Sequence, residues 1–129
     1  MHEHAALVQK GFDAFAAGDM VTMNELFTDD AVWHVAGRGP HSGDYTGKEA
    51  IFGYFGLLME ESGGTFRNEV ADILVSPERA VALTTGHAER NGKQLDSDGM
   101  VAFKIADDKV TEAWSGLFDQ YASDEFWSD

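Results

Sequence analysis

The sequence predicts one α+β domain, in which three N-terminal helices pack in a curved, mostly antiparallel sheet. Apolar residues recur at helical spacing up to Gly63-Gly64 and at strand spacing after it. The length of 129 residues fits one domain of roughly 100–200 residues, so we expect a single domain over 1–129. A sheet that curls around helices as a cone leaves a cavity between the two layers.

Composition narrows the class of protein. A hydrophobic fraction of 43% argues against disorder, and the net charge of −14 argues against nucleic acid or an anionic membrane as a partner. The chain has no Cys, which excludes disulfides and thiolate metal sites, and no spacing matches a known metal motif, so we expect no metal or cofactor. The absence of a membrane-spanning apolar run and of a signal peptide predicts a cytoplasmic protein.

Two helices are predicted at the start of the chain. Apolar residues at helical spacing indicate a helix over Glu3–Ala17, which Gly18 ends as a C′ glycine. Asp19 is a suitable N-cap for a short second helix, and Asp29-Asp30 would end that helix.

A short strand and a third helix follow. Residues Ala31–Val35 are predicted as the strand, and the Gly- and Pro-containing segment Ala36–Tyr45 as a loop. Thr46 and Glu49 have the spacing of a capping box, so we expect them to open the third helix, which stops at Gly63-Gly64.

The second half of the chain is predicted to be a meander of strands. Asn91-Gly92 is typical of a type I′ hairpin turn, because both of its residues tolerate positive φ. A two-residue turn fixes the register and predicts that Ala88 faces Leu95, His87 faces Asp96, Gly86 faces Ser97 and Thr84 faces Gly99. The four predicted strands are Phe66–Val75, Arg79–Arg90, Lys93–Ile105 and Lys109–Asp119, followed by an acidic segment, Ala122–Asp129.

Several motifs resemble the nuclear-transport-factor-2-like superfamily, within it the SnoaL-like and ketosteroid-isomerase-like branch. They are Gly18-Asp19, Leu26-Phe27-Thr28-Asp29-Asp30-Ala31-Val32-Trp33, Gly39-Pro40-His41-Ser42-Gly43, Tyr45-Thr46-Gly47, Asn91-Gly92-Lys93 and Val110-Thr111-Glu112-Ala113-Trp114. The resemblance covers essentially the whole chain and implies a cone-shaped, cystatin-like roll. It says less about function, because this fold hosts isomerases, cyclases, epoxide hydrolases and binders.

The resemblance can be tested at the catalytic positions of two enzyme types. A ketosteroid isomerase would carry an acid–base Asp and two oxyanion-hole residues where this chain has Val35, Gly11 and Val101. A limonene-epoxide-hydrolase-like enzyme would carry its Asp-Arg-Asp set where this chain has Gly99, Val101 and Ser115. Neither catalytic set is kept, so we expect neither chemistry.

His34 and Asp119 are the candidates for acid–base catalysis. Strand alternation puts Trp33 and Val35 on one face and His34 on the other, so His34 has two interpretations: an outer-face residue or a pocket acid–base group. Asp119 would end the last strand near the cavity mouth, as a general base or as a cap of the following turn. His87 with Asp96 is predicted to be a structural or interface pair.

We predict a cavity that binds a small hydrophobic molecule, because the inner sheet face carries small residues, Gly86, Ala88, Gly99 and Ala113 among them. The predicted substrate-binding residues are Phe15, Trp33, Val35, Phe55, Leu58, Thr84, Ser97, Val101, Phe103, Ser115 and Leu117.

Three functional hypotheses remain open. The first is a homodimeric SnoaL-like pocket protein that binds, and in some cases transforms, a polyketide-like or steroid-like compound. Its dimer is implied by the resemblance and by an apolar outer sheet face with Val81, Leu83, Met100 and Ala102. The second is a cofactor-independent isomerase, cyclase or dehydratase that uses His34 and Asp119. The third is a protein-interaction module whose sheet face or acidic tail, with Asp124, Glu125, Phe126 and Trp127, contacts a partner.

Overall fold

The computed structural model describes residues 2–129, which form four helices and one six-stranded sheet. The helices are α1 (Glu3–Ala17), α2 (Met20–Leu26), α3 (Lys48–Glu61) and α4 (Gln120–Trp127). The strands are β1 (Phe27–Val35), β2 (Gly43–Thr46), β3 (Arg67–Val75), β4 (Arg79–Arg90), β5 (Lys93–Ala106) and β6 (Lys109–Leu117).

The strands lie in the order β2-β1-β6-β5-β4-β3, so β1 is the neighbour of β6, the last strand of the meander. β1 and β6 pair in parallel, and the other neighbouring pairs are antiparallel, which confirms the predicted α+β class. Asn91 and Gly92 have φ values of 51° and 76°, as a type I′ turn requires. The turn sets the predicted register, in which His87 faces Asp96 and Thr84 faces Gly99.

The region before α3 differs from the prediction. β1 already begins at Phe27, so Asp29 and Asp30 lie within a strand instead of ending a helix. A strand, β2, also forms inside the predicted loop, where Thr46 pairs with Val32. Thr46 therefore does not cap α3, whose N-cap is Gly47, and the predicted capping box is wrong. Pairing with β1 satisfies the backbone of this segment more fully than a helix cap would.

The C-terminal segment is a fourth helix that the sequence did not predict. The side chains of Phe126 and Trp127 are 2% and 7% exposed, so they belong to the core and cannot serve as a docking tail. Two basic residues of the β4–β5 hairpin hold the end of α4, because Arg90 Nη1 donates to the Ser128 carbonyl over 3.0 Å and Lys93 Nζ to the Glu125 carbonyl over 2.9 Å.

The core lies between the inner sheet face and the helices. Ile51 of α3 and Ala82 and Ala113 of the sheet are completely buried there. Among residues 2–129, no helix has both the length and the apolar character that a bilayer span requires.

Candidate functional site

A cavity of about 160 Å³ lies between the helices and the inner face of the sheet. Its walls are apolar and rich in aromatic side chains, and the rings of Trp33 and Phe55 meet edge to face with their centroids 5.0 Å apart. Every predicted substrate-binding residue except Ser97 belongs to its lining. Trp33 and Val35 face the cavity together, as the alternation along β1 predicted.

One end of the cavity carries a chain of neutral hydrogen-bonding groups. Trp33 Nε1 donates to Ser115 Oγ over 2.8 Å, and Ser115 and Tyr54 line the cavity together. The Tyr54 hydroxyl carries one proton, which it can donate to a group in the cavity. Burial raises the pKa of Tyr54 above its ordinary value of 10, so its hydroxyl stays protonated and neutral.

The loop after β1 is packed against this end of the cavity. Tyr45 stacks on Tyr54 with ring centroids 4.7 Å apart, and its hydroxyl donates to the His41 carbonyl over 2.7 Å. His41 is buried, lies 3.3 Å from Glu61 through its Nε2, and contacts the ring of Trp127. These contacts hold the loop behind Tyr54, and residues 36–47 do not themselves line the cavity.

Gly86 and Gly99 on the inner sheet face differ in what a side chain at each position would contact. A Cβ on Gly99 would lie 2.4 Å from the Gly116 carbonyl oxygen, so Gly99 is required by the close approach of β6. A Cβ on Gly86 would make contacts of ordinary length, the nearest to Asn68 Oδ1 at 3.7 Å. The glycine at 86 therefore leaves room in the cavity, whereas the one at 99 accommodates backbone.

The cavity lining is almost free of ionisable groups. Gly11, Val35 and Val101, the positions matched to the isomerase catalytic residues, all belong to the lining. Within residues 2–129, Tyr54 is the one ionisable side chain that lines the cavity. The arrangement can hold a neutral ring and offer it a hydrogen-bond donor.

His34 lies outside this cavity, on the other face of β1. Its ring hydrogen-bonds Asp44 through Nδ1 and Glu112 through Nε2, each over 2.6 Å, and stacks on Trp114. Hydrogen bonds to Asp44 and then to Glu112 raise the pKa of His34 above its ordinary value of 6.5. This geometry corresponds to the outer-face interpretation of His34.

Asp119 is also outside the cavity lining. It is the N-cap residue of α4, and its Oδ1 accepts a hydrogen bond from the Ala122 backbone N–H over 3.1 Å. β6 ends at Leu117, two residues earlier than the sequence predicted, because the chain turns there into α4. The structure gives Asp119 the role of a helix cap and does not bring it together with His34 in the cavity.

A second, more polar pocket of about 510 Å³ adjoins the first. The two share Phe12, Phe15, Phe66 and Asn68 in their linings. The second pocket also includes the predicted pair of His87 and Asp96, in which His87 Nδ1 hydrogen-bonds Asp96 Oδ1; this bond holds the pKa of Asp96 below its ordinary value. Further charged residues of its lining are Arg67 and Glu89.

Sequence reasoning missed several lining residues. From α4 they are Gln120, Ser123 and Trp127, and from β3 Asn68. The i, i+4 spacing of Ser123 and Trp127 on a helix was an available signal. Asn68 lies opposite Gly86 on β4. This pairing was not predicted, because β3 and β4 pair with a register shift between Val70 and Asp72 that no sequence pattern indicates.

The chain is similar in sequence and in structure to several known proteins. The sequence profile of the SnoaL-like domain matches residues 8–113. The structure of Bal32a, from a soil-derived mobile gene cassette, is 40% identical, with coverage of 97% of this chain and 96% of that one and a TM-score of 0.94. A protein of unknown function with a cystatin-like fold from Xanthomonas campestris is 26% identical over 100% of both chains, with a TM-score of 0.91. The uncharacterized protein Rv0034 of Mycobacterium tuberculosis is 26% identical over 95% of this chain and 94% of its own.

The fold and the cavity define a class of small α+β proteins that bind or transform a small molecule. Within that class, the chain belongs to the SnoaL-like domain family, on the NTF2-like fold.

Proposed function

We propose that this protein binds a small, neutral, hydrophobic ring in the aromatic cavity, either a free ring compound or one ring system of a polyketide-like or steroid-like compound. The observation that carries the proposal is an apolar lining rich in aromatic side chains, with a neutral donor, the Tyr54 hydroxyl, at one end. A cavity of about 150 Å³ lined by apolar side chains is known to accept a benzene ring, and this one measures about 160 Å³.

The lining also selects against charged ligands. Transfer of an ion from water into an apolar site is costly unless an opposite charge meets it. Tyr54 is neutral, and the cavity lining of residues 2–129 contains no other ionisable side chain. A ring compound with a carbonyl oxygen fits better, because the free proton of Tyr54 can be donated to that oxygen.

Binding is the function proposed, and catalysis by His34 and Asp119 is not part of it. Both residues lie outside the cavity lining. His34 already hydrogen-bonds two carboxylates, and Asp119 already accepts a hydrogen bond from a backbone N–H. A proton donor at Tyr54 without a facing base favours holding a ligand over moving its protons.

The test is calorimetric titration with naphthalene and 2-acetylnaphthalene. Val101→Trp places a large side chain in the cavity, so we expect it to weaken binding of both compounds at least about tenfold, which corresponds to about 1.4 kcal/mol. Val21→Trp is the matched control, because Val21 is 73% exposed on α2 and should leave binding unchanged. Tyr54→Phe should weaken only 2-acetylnaphthalene. Failure of the wild-type protein to bind either compound would contradict the proposal.

We further propose a homodimer formed through the outer sheet face. The β4–β5 register sets Val81 beside Ala102 and Leu83 beside Met100, and Met100 is 43% exposed. An apolar patch of this kind favours cover by a second copy. Sedimentation should give twice the chain mass of 14.1 kDa, and Leu83→Glu should halve it; a wild-type monomer would refute the dimer.

A further inference from the structure

The cavity has a second polar end, at Asn68 on β3. The Oδ1 atom of Asn68 is buried and has no hydrogen-bond partner within the described chain, residues 2–129. A buried acceptor without a partner destabilises the folded protein, and most such groups in native structures are satisfied. This oxygen therefore needs a partner from outside the chain, and a ligand in the adjoining cavity can supply one.

Asn68 lies far along the sheet from the Tyr54 end. Ser115 shares a row of the sheet with Val101 and Ala82, whereas Asn68 pairs with Gly86. Ala82 and Gly86 are four residues apart on β4, which separates the two rows by about 13 Å. The two polar ends therefore contact different parts of a bound molecule.

No side chain of the neighbouring strand stands over the Asn68 oxygen. Gly86 has no side chain, and even a Cβ there would approach Asn68 Oδ1 only to 3.7 Å. Asn68 also lines both pockets, so it stands where the aromatic cavity meets the polar pocket. A polar substituent on a ring could reach Asn68 while the ring stays among Phe12, Phe15 and Phe66.

The chemistry of that substituent follows from the charges nearby. An amide oxygen accepts hydrogen bonds, so its partner must be a donor. The polar pocket carries the carboxylates of Asp96 and Glu89 beside the cation of Arg67 and the imidazole of His87. An ionised carboxylate has no proton to donate to the amide oxygen, whereas a hydroxyl group has one, so a hydroxyl group suits the site.

We propose that Asn68 Oδ1 accepts a hydrogen bond from a hydroxyl group of the ring compound, so that Asn68 selects hydroxylated ligands. This inference rests on the proposed function, because it assumes that the aromatic cavity holds a ring. The inference adds Asn68 as a specificity-determining residue. It also defines the ligand class: a ring compound that contacts Tyr54 at one end and carries a hydroxyl donor at the other.

A matched pair of probes isolates the hydroxyl proton. 2-Naphthol can donate a hydrogen bond, whereas 2-methoxynaphthalene has the same ring and oxygen but no donor. Calorimetric titration of the wild-type protein should show 2-naphthol binding about five- to tenfold more tightly, the ratio that one hydrogen bond supplies. Asn68→Leu should abolish this preference and leave 2-methoxynaphthalene binding unchanged.

Asn24→Leu is the matched control. It makes the same substitution at an exposed position of α2 that lines neither pocket. It should retain the full preference for 2-naphthol. A second measurement needs no variant: in the ¹H–¹⁵N spectrum of the wild-type protein, 2-naphthol should shift the Asn68 side-chain amide signals more than 2-methoxynaphthalene does.

The outcomes separate the two proposals. If naphthalene does not bind, the proposed function fails. If naphthalene binds but the two oxygenated probes bind equally well to the wild-type protein, the role of Asn68 is refuted and the cavity proposal stands. An unchanged preference in Asn68→Leu would refute the role of Asn68 as well.

Discussion

The two ends of the cavity handle their polar groups in opposite ways. At the Tyr54 end, the buried indole N–H of Trp33 donates to Ser115 Oγ, so these two groups satisfy one another. At the Asn68 end, a buried oxygen has no partner within residues 2–129. The first end is held together by the fold, whereas the second is complete only when something else binds.

The difference shows how structural and functional polar groups can be told apart. A connected network fixes the positions of its members and is costly to break. An isolated buried acceptor can be replaced by an apolar group of the same shape at little cost. Stability measurements should therefore separate the two ends even before any ligand is known.

The largest effect is expected at the connected end. Ser115→Ala removes the acceptor of the Trp33 indole N–H and leaves that donor buried without a partner, since Trp33 is 8% exposed. We expect the free energy of unfolding to fall by about 1–3 kcal/mol, measured by urea denaturation. A loss below about 0.5 kcal/mol would mean that the network does not hold this end of the cavity.

An intermediate effect, dependent on pH, is expected in the network of His34. Its pKa is raised in the folded protein by Asp44 and Glu112, so its stabilising contribution is fully present below the unfolded value of 6.5. That contribution is lost as the pH rises through the raised folded pKa. The wild-type protein should exceed His34→Gln in unfolding free energy by about 1 kcal/mol at pH 6 and by less at pH 9.

The measurement for His34 is a pair of urea titrations at the two pH values. His87→Gln is a useful comparison, because His87 hydrogen-bonds Asp96 through Nδ1, whereas its buried Nε2 lies 3.6 Å from Glu69 Oε1 and has no hydrogen-bond partner in residues 2–129. A difference between wild type and His34→Gln that grows from pH 6 to pH 9 would contradict the ion-pair account.

The smallest effect is expected at the unpartnered end. Asn68→Leu replaces an unsatisfied amide by an apolar group of similar size, so the unfolding free energy of the ligand-free protein should change by less than about 0.5 kcal/mol or increase. Thermal unfolding of the variant and wild type side by side measures it. A loss as large as that of Ser115→Ala would show that Asn68 has a structural partner.

Local signals in the sequence were sufficient for part of this fold. The helix over Glu3–Ala17 was predicted to the residue, because its apolar spacing and Gly18 act within one segment. The β4–β5 register was also predicted, since Asn91-Gly92 allows one tight turn. That register and the alternation on β1 also placed Thr84, Trp33 and Val35 in the cavity lining.

Features that depend on distant partners were not predicted. β2 forms because β1 offers it a backbone to pair with, and no local pattern in Gly43–Thr46 indicates a strand. The closing of the cavity by α4 depends on where the β4–β5 hairpin places Arg90 and Lys93. The position of Asn68 depends on the irregular pairing of β3 with β4.

The sequence by itself determined the α+β class, the hairpin and the face of β1 that carries Trp33, because each follows from periodicities and turns of a few residues. The tertiary structure alone decided that His34 lies among carboxylates outside the cavity and that the Asn68 oxygen is buried at its end without a partner in residues 2–129. The physical reason is that hydrogen-bond satisfaction is a property of neighbours in space, which the chain acquires only when its strands have paired.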